Sequence, residues 1–228
     1  MKGEENMKMT RNFFVIMAVV SVMLSTTVHA ESHFNGGLYF DYNNGAVATI
    51  ETQDPNVSSN SAVAAWAMTC DGGYQGRYAQ VGWAKFAATG YPQYFYEYSY
   101  APNNVWYRKM IGTATAGSHN EYMVGCDSTT MYFKINGTSY GTVPLSTIPF
   151  TRFCVQIFAE TKNTADQCPG SVSNPVTMGN SRYKTTDNEW VPVYVENPSS
   201  IGYGTLTTMR NNISSSGSRN WEVWDSRY

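Results

Sequence analysis

Apolar and polar residues alternate with a period of two along most of the chain, and helical periodicity is nearly absent. Side chains of a β-strand point to the two faces of a sheet in turn, so this pattern predicts short strands. Turn-forming pairs separate the runs, and Asn136-Gly137 in particular favours a type I′ hairpin turn. The expected fold is an all-β antiparallel β-sandwich in a single domain. The predicted strands cover 37–42, 47–51, 63–68, 78–85, 93–100, 105–111, 122–126, 131–135, 138–143, 153–160, 190–195, 204–209 and 221–224.

The first thirty residues have the pattern of a secretory signal peptide. Three basic residues precede an apolar run at 13–24, and Val28 and Ala30 stand at the positions that a signal peptidase reads. The run is short for a membrane span, which disfavours the alternative of a retained anchor. The sequence therefore predicts cleavage near Ala30, secretion, a β-sandwich domain over 31–228 and no membrane span in the mature chain.

Charge and motifs narrow the range of functions. The formal net charge of the chain is −2 and basic residues form no stripe, so nucleic acid is not an expected partner. Zincin, nucleophile-elbow and phosphate-loop motifs are absent from the sequence, and no cofactor is expected. The partners that fit an exported chain are an extracellular polysaccharide or polypeptide.

Four cysteines follow the signal segment, and an even number in an exported chain favours two disulfides. Three pairings are possible. The preferred one joins the first to the second and the third to the fourth, because the latter bridge closes a short loop. Zinc binding is the weaker interpretation, since no C-x-x-C pair occurs. The four residues are Cys70, Cys126, Cys154 and Cys168.

The predicted strands at 78–85 and 93–100 are unusually rich in aromatic residues. Alternation puts four tyrosines on one face of the second strand, with Glu97 on the other face. Planar aromatic side chains on an exposed face can stack on sugars or hold an extended peptide, although they also suit a core. The candidate ligand-binding residues are Trp83, Tyr94, Tyr96, Glu97, Tyr98 and Tyr100.

Catalytic chemistry, if present, rests on carboxylates and amides. Gln156 and Glu160 share one face of the strand at 153–160, and Gln80 could converge with Glu160 on one groove. A carboxylic acid in an apolar pocket suits general acid–base work, and a neighbouring amide can orient water. The competing interpretation is that such carboxylates are ordinary, hydrogen-bonded strand residues.

Several short motifs resemble the glutamic peptidases, the eqolisins and neprosin-like proteins, which have a concanavalin-like jelly-roll sandwich. The resemblance spans about 63–176 and implies that fold here. It also implies that Gln80 occupies the catalytic glutamine position, and that the catalytic glutamate falls at Glu160 or at Gln156. The motifs are Ala65-Trp66-Ala67-Met68, Cys70-Asp71-Gly72-Gly73, Ala79-Gln80-Val81-Gly82-Trp83, Tyr96-Glu97-Tyr98 and Gln156-Ile157-Phe158-Ala159-Glu160.

Two functions from different classes follow. The first is a secreted recognition module that binds polysaccharide or protein through the tyrosine-rich face. The second is a glutamic-type acid endopeptidase with Gln80 and Glu160 as catalytic residues. If Gln156 holds the glutamate position, the pair of catalytic residues is broken and the chain is a non-catalytic relative. A structural coat protein without a ligand is a third possibility.

Overall fold

The computed structural model describes residues 33–72, 77–99, 106–197 and 207–228, and every regular element in these ranges is a β-strand. The predicted signal peptide and Tyr100 lie outside these residues. No helix in the described ranges has the length and hydropathy needed to cross a membrane. The strands are β1 (His33–Phe40), β2 (Gly45–Glu51), β3 (Ala62–Cys70), β4 (Tyr78–Phe86), β5 (Pro92–Ser99), β6 (Trp106–Thr113), β7 (His119–Cys126), β8 (Thr130–Ile135), β9 (Thr138–Pro144), β10 (Cys154–Thr161), β11 (Val176–Lys184), β12 (Trp190–Pro192), β13 (Met209–Asn211) and β14 (Trp221–Asp225).

The strands form two antiparallel sheets that pack face to face, which confirms the predicted all-β sandwich. Sheet A has the order β1-β10-β3-β4-β5-β6. Sheet B has the order β13-β14-β11-β2-β7-β8-β9, with β12 paired to β11. Strands distant in sequence, such as β10 and β3, are therefore direct neighbours, and their side chains meet in register.

The main core lies between the sheets and is built by the alternating apolar positions of both. Sheet A contributes Val81, Trp83 and Ile157, and sheet B contributes Tyr122 and Phe133, all without measurable exposure. Burial of such side chains contributes about 1.5–3 kcal/mol each, which makes this layer the main source of stability. A second apolar cluster covers the outer face of sheet A, and it contains Leu38, Trp66, Met68, Phe95 and Phe158.

Residues typical of turns correctly predicted the β8–β9 hairpin but concealed strand β11. The hairpin between β8 and β9 turns at Asn136 and Gly137, whose φ angles of 49° and 80° are those that a type I′ turn requires. The central strand β11 was not predicted. Its register shifts between Gly179 and Arg182, and Asn180 has a φ of 51°. This bulge interrupts the alternation and gives the sequence the appearance of a turn.

The two predicted disulfides are absent, because all four cysteines are free and buried. The preferred pairing was also wrong in its geometry. Cys70 and Cys154 belong to the cluster on the outer face of sheet A, whereas Cys126 and Cys168 lie in the core between the sheets. Sheet A itself therefore separates the members of each predicted pair.

Candidate functional site

A row of side chains crosses the outer face of sheet A perpendicular to the strands. Backbone pairing aligns Gln156 of β10 with Met68, Met68 with Gln80, Gln80 with Glu97, and Glu97 with Arg108 of β6. Four of these five residues are polar, although the surrounding cluster is apolar. We call these five residues the polar row.

The carboxylate of Glu97 is the common hydrogen-bond acceptor of the polar row. One carboxylate oxygen accepts hydrogen bonds from the Tyr78 hydroxyl and, at 3.1 Å, from Nε2 of Gln80. The other oxygen accepts from Nε of Arg108, which forms an ion pair with it. A buried carboxylate is costly unless it is paired and hydrogen-bonded, and three donors meet that requirement here. The charges of the pair cancel, so the row presents oriented polar groups without net charge.

Aromatic rings surround the guanidinium of Arg108. Its central carbon lies 5.0 Å from the ring centroid of Trp106, 5.3 Å from that of Phe86 and 5.7 Å from that of Phe95. These contacts are favourable because the negative face of each ring attracts the cation. Trp106 is exposed, so this end of the row forms the rim that solvent reaches.

The phenol of Tyr78 stays protonated throughout the physiological range. Burial raises its pKa, and the nearby charge of Glu97 raises it further, since a phenolate beside a carboxylate is unfavourable. Tyr78 therefore acts as a hydrogen-bond donor to Glu97 and not as a base.

Two amide or indole donors complete the face. Nε2 of Gln156 lies 3.5 Å from Sγ of Cys70 and 3.7 Å from Sγ of Cys154, both weak acceptors. Nε1 of Trp66 is buried and has no hydrogen-bond partner among the described residues. An unsatisfied buried donor costs about 1–3 kcal/mol.

The structure places the two predicted catalytic residues on the same face but at different levels. Gln80 is aligned with Met68, and Met68 is aligned with Gln156. Glu160 pairs with Ala64 and lies four residues, about 13 Å, further along β10. The side chain that shares a level with Gln80 is therefore the amide of Gln156.

The tyrosine-rich face is part of the core and not a solvent-facing surface, which corrects the expectation from sequence. Tyr96 stacks on Phe133 of sheet B with a centroid distance of 4.5 Å, and Tyr94 contacts Tyr122. Tyr98 is buried in the same layer. Trp83 is fully buried, and its Nε1 donates to the backbone oxygen of Glu51 at 2.9 Å. Of the predicted ligand-binding residues that the structure describes, only Glu97 points to the outer face.

Sequence reasoning missed Arg108. The signal was available, because alternation in the predicted strand at 105–111 puts an arginine on one face with Trp106 and Met110. A lone cation among apolar residues indicates a buried partner, and Glu97 is that partner. Within the described ranges, no group of three histidine, cysteine, aspartate or glutamate side chains is placed to hold a metal ion.

No family model and no curated protein matches the chain. Solved structures do. Scytalido-glutamic peptidase with a transition state analog inhibitor has a TM-score of 0.57 at 16% identity, covering 86% of this chain and 98% of that one. SCP-B, a member of the eqolisin family of peptidases, in a complex with a tripeptide Ala-Ile-His, has a TM-score of 0.55 at 14% identity with the same coverage. The chain therefore has the fold of the glutamic peptidases, as the sequence motifs predicted.

Proposed function

We propose that the outer face of sheet A binds an extended polypeptide without hydrolysing it. The observation that supports this most is the polar row, in which Gln80 and Arg108, together with the neighbouring Tyr78, converge on Glu97 inside an apolar cluster. Convergent polar groups in an otherwise apolar surface are the usual composition of a binding site.

We infer that the chain does not hydrolyse the peptide, because the residue aligned with Gln80 across sheet A is the amide Gln156. Acid catalysis by a glutamic-type enzyme needs a carboxylic acid that can donate a proton to the reacting group. Gln156 is an amide and cannot supply one. The carboxylate of the row, Glu97, already accepts from Tyr78, Gln80 and Arg108, which leaves little room for a reacting water.

A polypeptide is the ligand class that the donors and acceptors suit. An extended backbone presents N–H and C=O groups in alternation, and side-chain amides can bond to both. The fold likeness supports the same class, since SCP-B was solved with a bound tripeptide and scytalido-glutamic peptidase with a peptide-based analog.

The test is fluorescence anisotropy of a labelled unfolded polypeptide, for which casein serves, with two matched variants. Gln80→Met keeps the side-chain length but loses an amide that donates to Glu97. Gln53→Met is the matched control outside the polar row. It removes an amide whose Nε2 donates to the carboxylate of Glu51 over a distance of 2.9 Å. We expect Gln80→Met to weaken binding about ten-fold or more, equal to ~1.4 kcal/mol. Gln53→Met should leave binding within about two-fold, which is ~0.4 kcal/mol. Equal affinities of the two variants, with unfolding midpoints unchanged, would refute the proposal.

A glutamic-type endopeptidase is the second candidate. It is favoured by one observation, that Gln80 and the half-buried Glu160 lie on the same face of sheet A. This function predicts cleavage of casein at acid pH, where a carboxylic acid holds its proton. Glu160→Gln should then abolish cleavage. If the native chain is inactive but Gln156→Glu cleaves casein, then position 156, and not position 160, is where a catalytic glutamate would act. The native chain would then bind peptides without cleaving them.

The proposed setting is extracellular. It rests on the signal-peptide pattern of residues 1–30, and N-terminal sequencing of the exported protein tests it. A mature chain that begins near Glu31 is the expected result.

A further inference from the structure

Two of the four buried thiols face each other across neighbouring strands. Cys70 closes β3 and Cys154 opens β10, and backbone pairing makes them direct cross-strand partners. Both sulfurs also approach the same amide, since Nε2 of Gln156 lies 3.5 Å from Sγ of Cys70 and 3.7 Å from Sγ of Cys154. Directly opposed residues of an antiparallel pair have Cα atoms about 4.5–5.5 Å apart, which is within the range that a disulfide spans.

The other two cysteines have no such geometry. The backbone N–H of Cys126 donates to Asn44, next to the start of β2. The N–H of Cys168 donates to Asp225 of β14, which lies four residues beyond Trp221 on the side away from Asn44, and Trp221 is level with Ile50 at the far end of β2. The six residue steps from Asn44 to Ile50 alone correspond to roughly 20 Å, which is far beyond disulfide reach.

We propose that Cys70 and Cys154 are a redox pair that forms a cross-strand disulfide by exchange with a small-molecule disulfide of the glutathione type. One protein thiolate attacks a reagent sulfur, breaks the reagent S–S bond and releases one small thiol. The second protein thiolate then attacks the protein sulfur of the mixed disulfide and releases the other small thiol. The protein loses two electrons and two protons, and the reagent disulfide is reduced to two thiols.

Burial sets the rate of this reaction. Both residues are almost fully buried, and burial together with the neighbouring Cys154 raises the pKa of the Cys70 thiol. Because the thiolate is the nucleophile, exchange is slow in the closed fold and accelerates as the pH rises. The strand ends at which the two residues lie are the parts of a sheet that open most readily.

The sequence allows a direct measurement, because trypsin places each cysteine in a separate peptide. Cys70 lies in the peptide that ends at Arg77, Cys154 in 153–162, Cys126 in 110–134 and Cys168 in 163–182. The full chain is equilibrated with oxidised glutathione at pH 8, denatured with iodoacetamide, digested and analysed by mass spectrometry without reduction. A parallel sample is reduced with dithiothreitol first.

We expect the peptide 153–162 to be disulfide-linked to the peptide that ends at Arg77 in at least half of the molecules. The linked species should disappear from the sample that is reduced first. Cys126 and Cys168 should be alkylated. A smaller linked fraction, or a link that includes Cys126 or Cys168, overturns the proposal. Cys126→Ser is the matched control and should keep the link, whereas Cys154→Ser should abolish it and leave Cys70 free or joined to glutathione. The result on the unmodified chain decides the proposal even if a variant fails to fold.

Discussion

Each sheet carries an arginine–glutamate pair on its outer face, and the two pairs differ in everything except their chemistry. Arg182 and Glu121 on sheet B are 2.6 Å apart, and both side chains are about one-third exposed, at 35% and 34%. On sheet A the side chain of Glu97 is only 5% exposed and that of Arg108 20%. Glu97 has two further donors, and Arg108 lies among aromatic rings.

The difference in burial between the two pairs separates a candidate functional site from an ordinary surface ion pair. An exposed pair gives up little hydration and contributes at most about 1 kcal/mol. A buried pair must be satisfied completely, because one missing partner leaves a charge in an apolar surrounding. The network around Glu97 is therefore a costly feature of sheet A, and this is the physical reason to treat that face as functional.

The largest expected effect is the loss of stability on removing the carboxylate of Glu97, with Glu121 as the matched comparison. Glu97→Ala leaves Arg108 unpaired and removes the acceptor of Tyr78 and Gln80, so we expect a loss of about 3–5 kcal/mol in the free energy of unfolding. Glu121→Ala should lose less than about 1 kcal/mol. Urea denaturation of both variants measures the two values. Similar losses would show that the two pairs are energetically equivalent.

The next test compares aromatic residues of the core and the surface. Tyr96→Leu removes a ring that stacks on Phe133, and we expect a loss of about 1–3 kcal/mol. Tyr140 of β9 is exposed, and Tyr140→Leu should change stability by no more than about 0.5 kcal/mol. The same denaturation experiment applies. A neutral Tyr96→Leu would contradict the assignment of the tyrosine stripe to the core.

A third ion pair extends the comparison to pH. Asp225 is buried beside Arg227, and although burial alone raises its pKa, hydrogen bonds from Arg227 and Cys168 outweigh that effect and hold the pKa below its usual value. A lowered carboxyl pKa stabilises the fold above the unfolded value of about 3.9, and this contribution disappears as the pH falls through the folded value. The stability difference between the native chain and Asp225→Asn should therefore shrink progressively as the pH falls below about 5. A difference independent of pH would be inconsistent with this assignment.

The smallest effect is the coupling across the exposed pair. A double-mutant cycle on Arg182 and Glu121 should give about 0.2–1 kcal/mol, falling toward zero in about 1 M salt, where the screening length is only ~3 Å. The cycle on Arg108 and Glu97 should be larger and less sensitive to salt, since a buried pair is screened less. A salt response of equal size in both would remove the contrast.

Much of the fold could be predicted because most strands keep a strict alternation. The strands around Gln80 and Phe95 were placed almost to the residue, and the faces of their side chains were assigned correctly. Strand β11 was missed because the bulge at Gly179 and Asn180 imitates a turn. Of the site, Gln80 and Glu97 were selected from the sequence, and Glu97 was assigned to the face opposite the four tyrosines, whereas Arg108 and its contact with Glu97 required the register between β5 and β6.

Sequence patterns were enough to predict most of the strands, the two faces of each and the motifs that resemble those of glutamic peptidases. The tertiary structure alone decided which face is covered by the second sheet, and it chose the tyrosine stripe of Tyr96 as the inner one. It also decided which thiols meet and that Gln156 shares the level of Gln80. The reason is physical: a period of two assigns side chains to faces, but register and burial arise only when distant strands pair and the sheets pack.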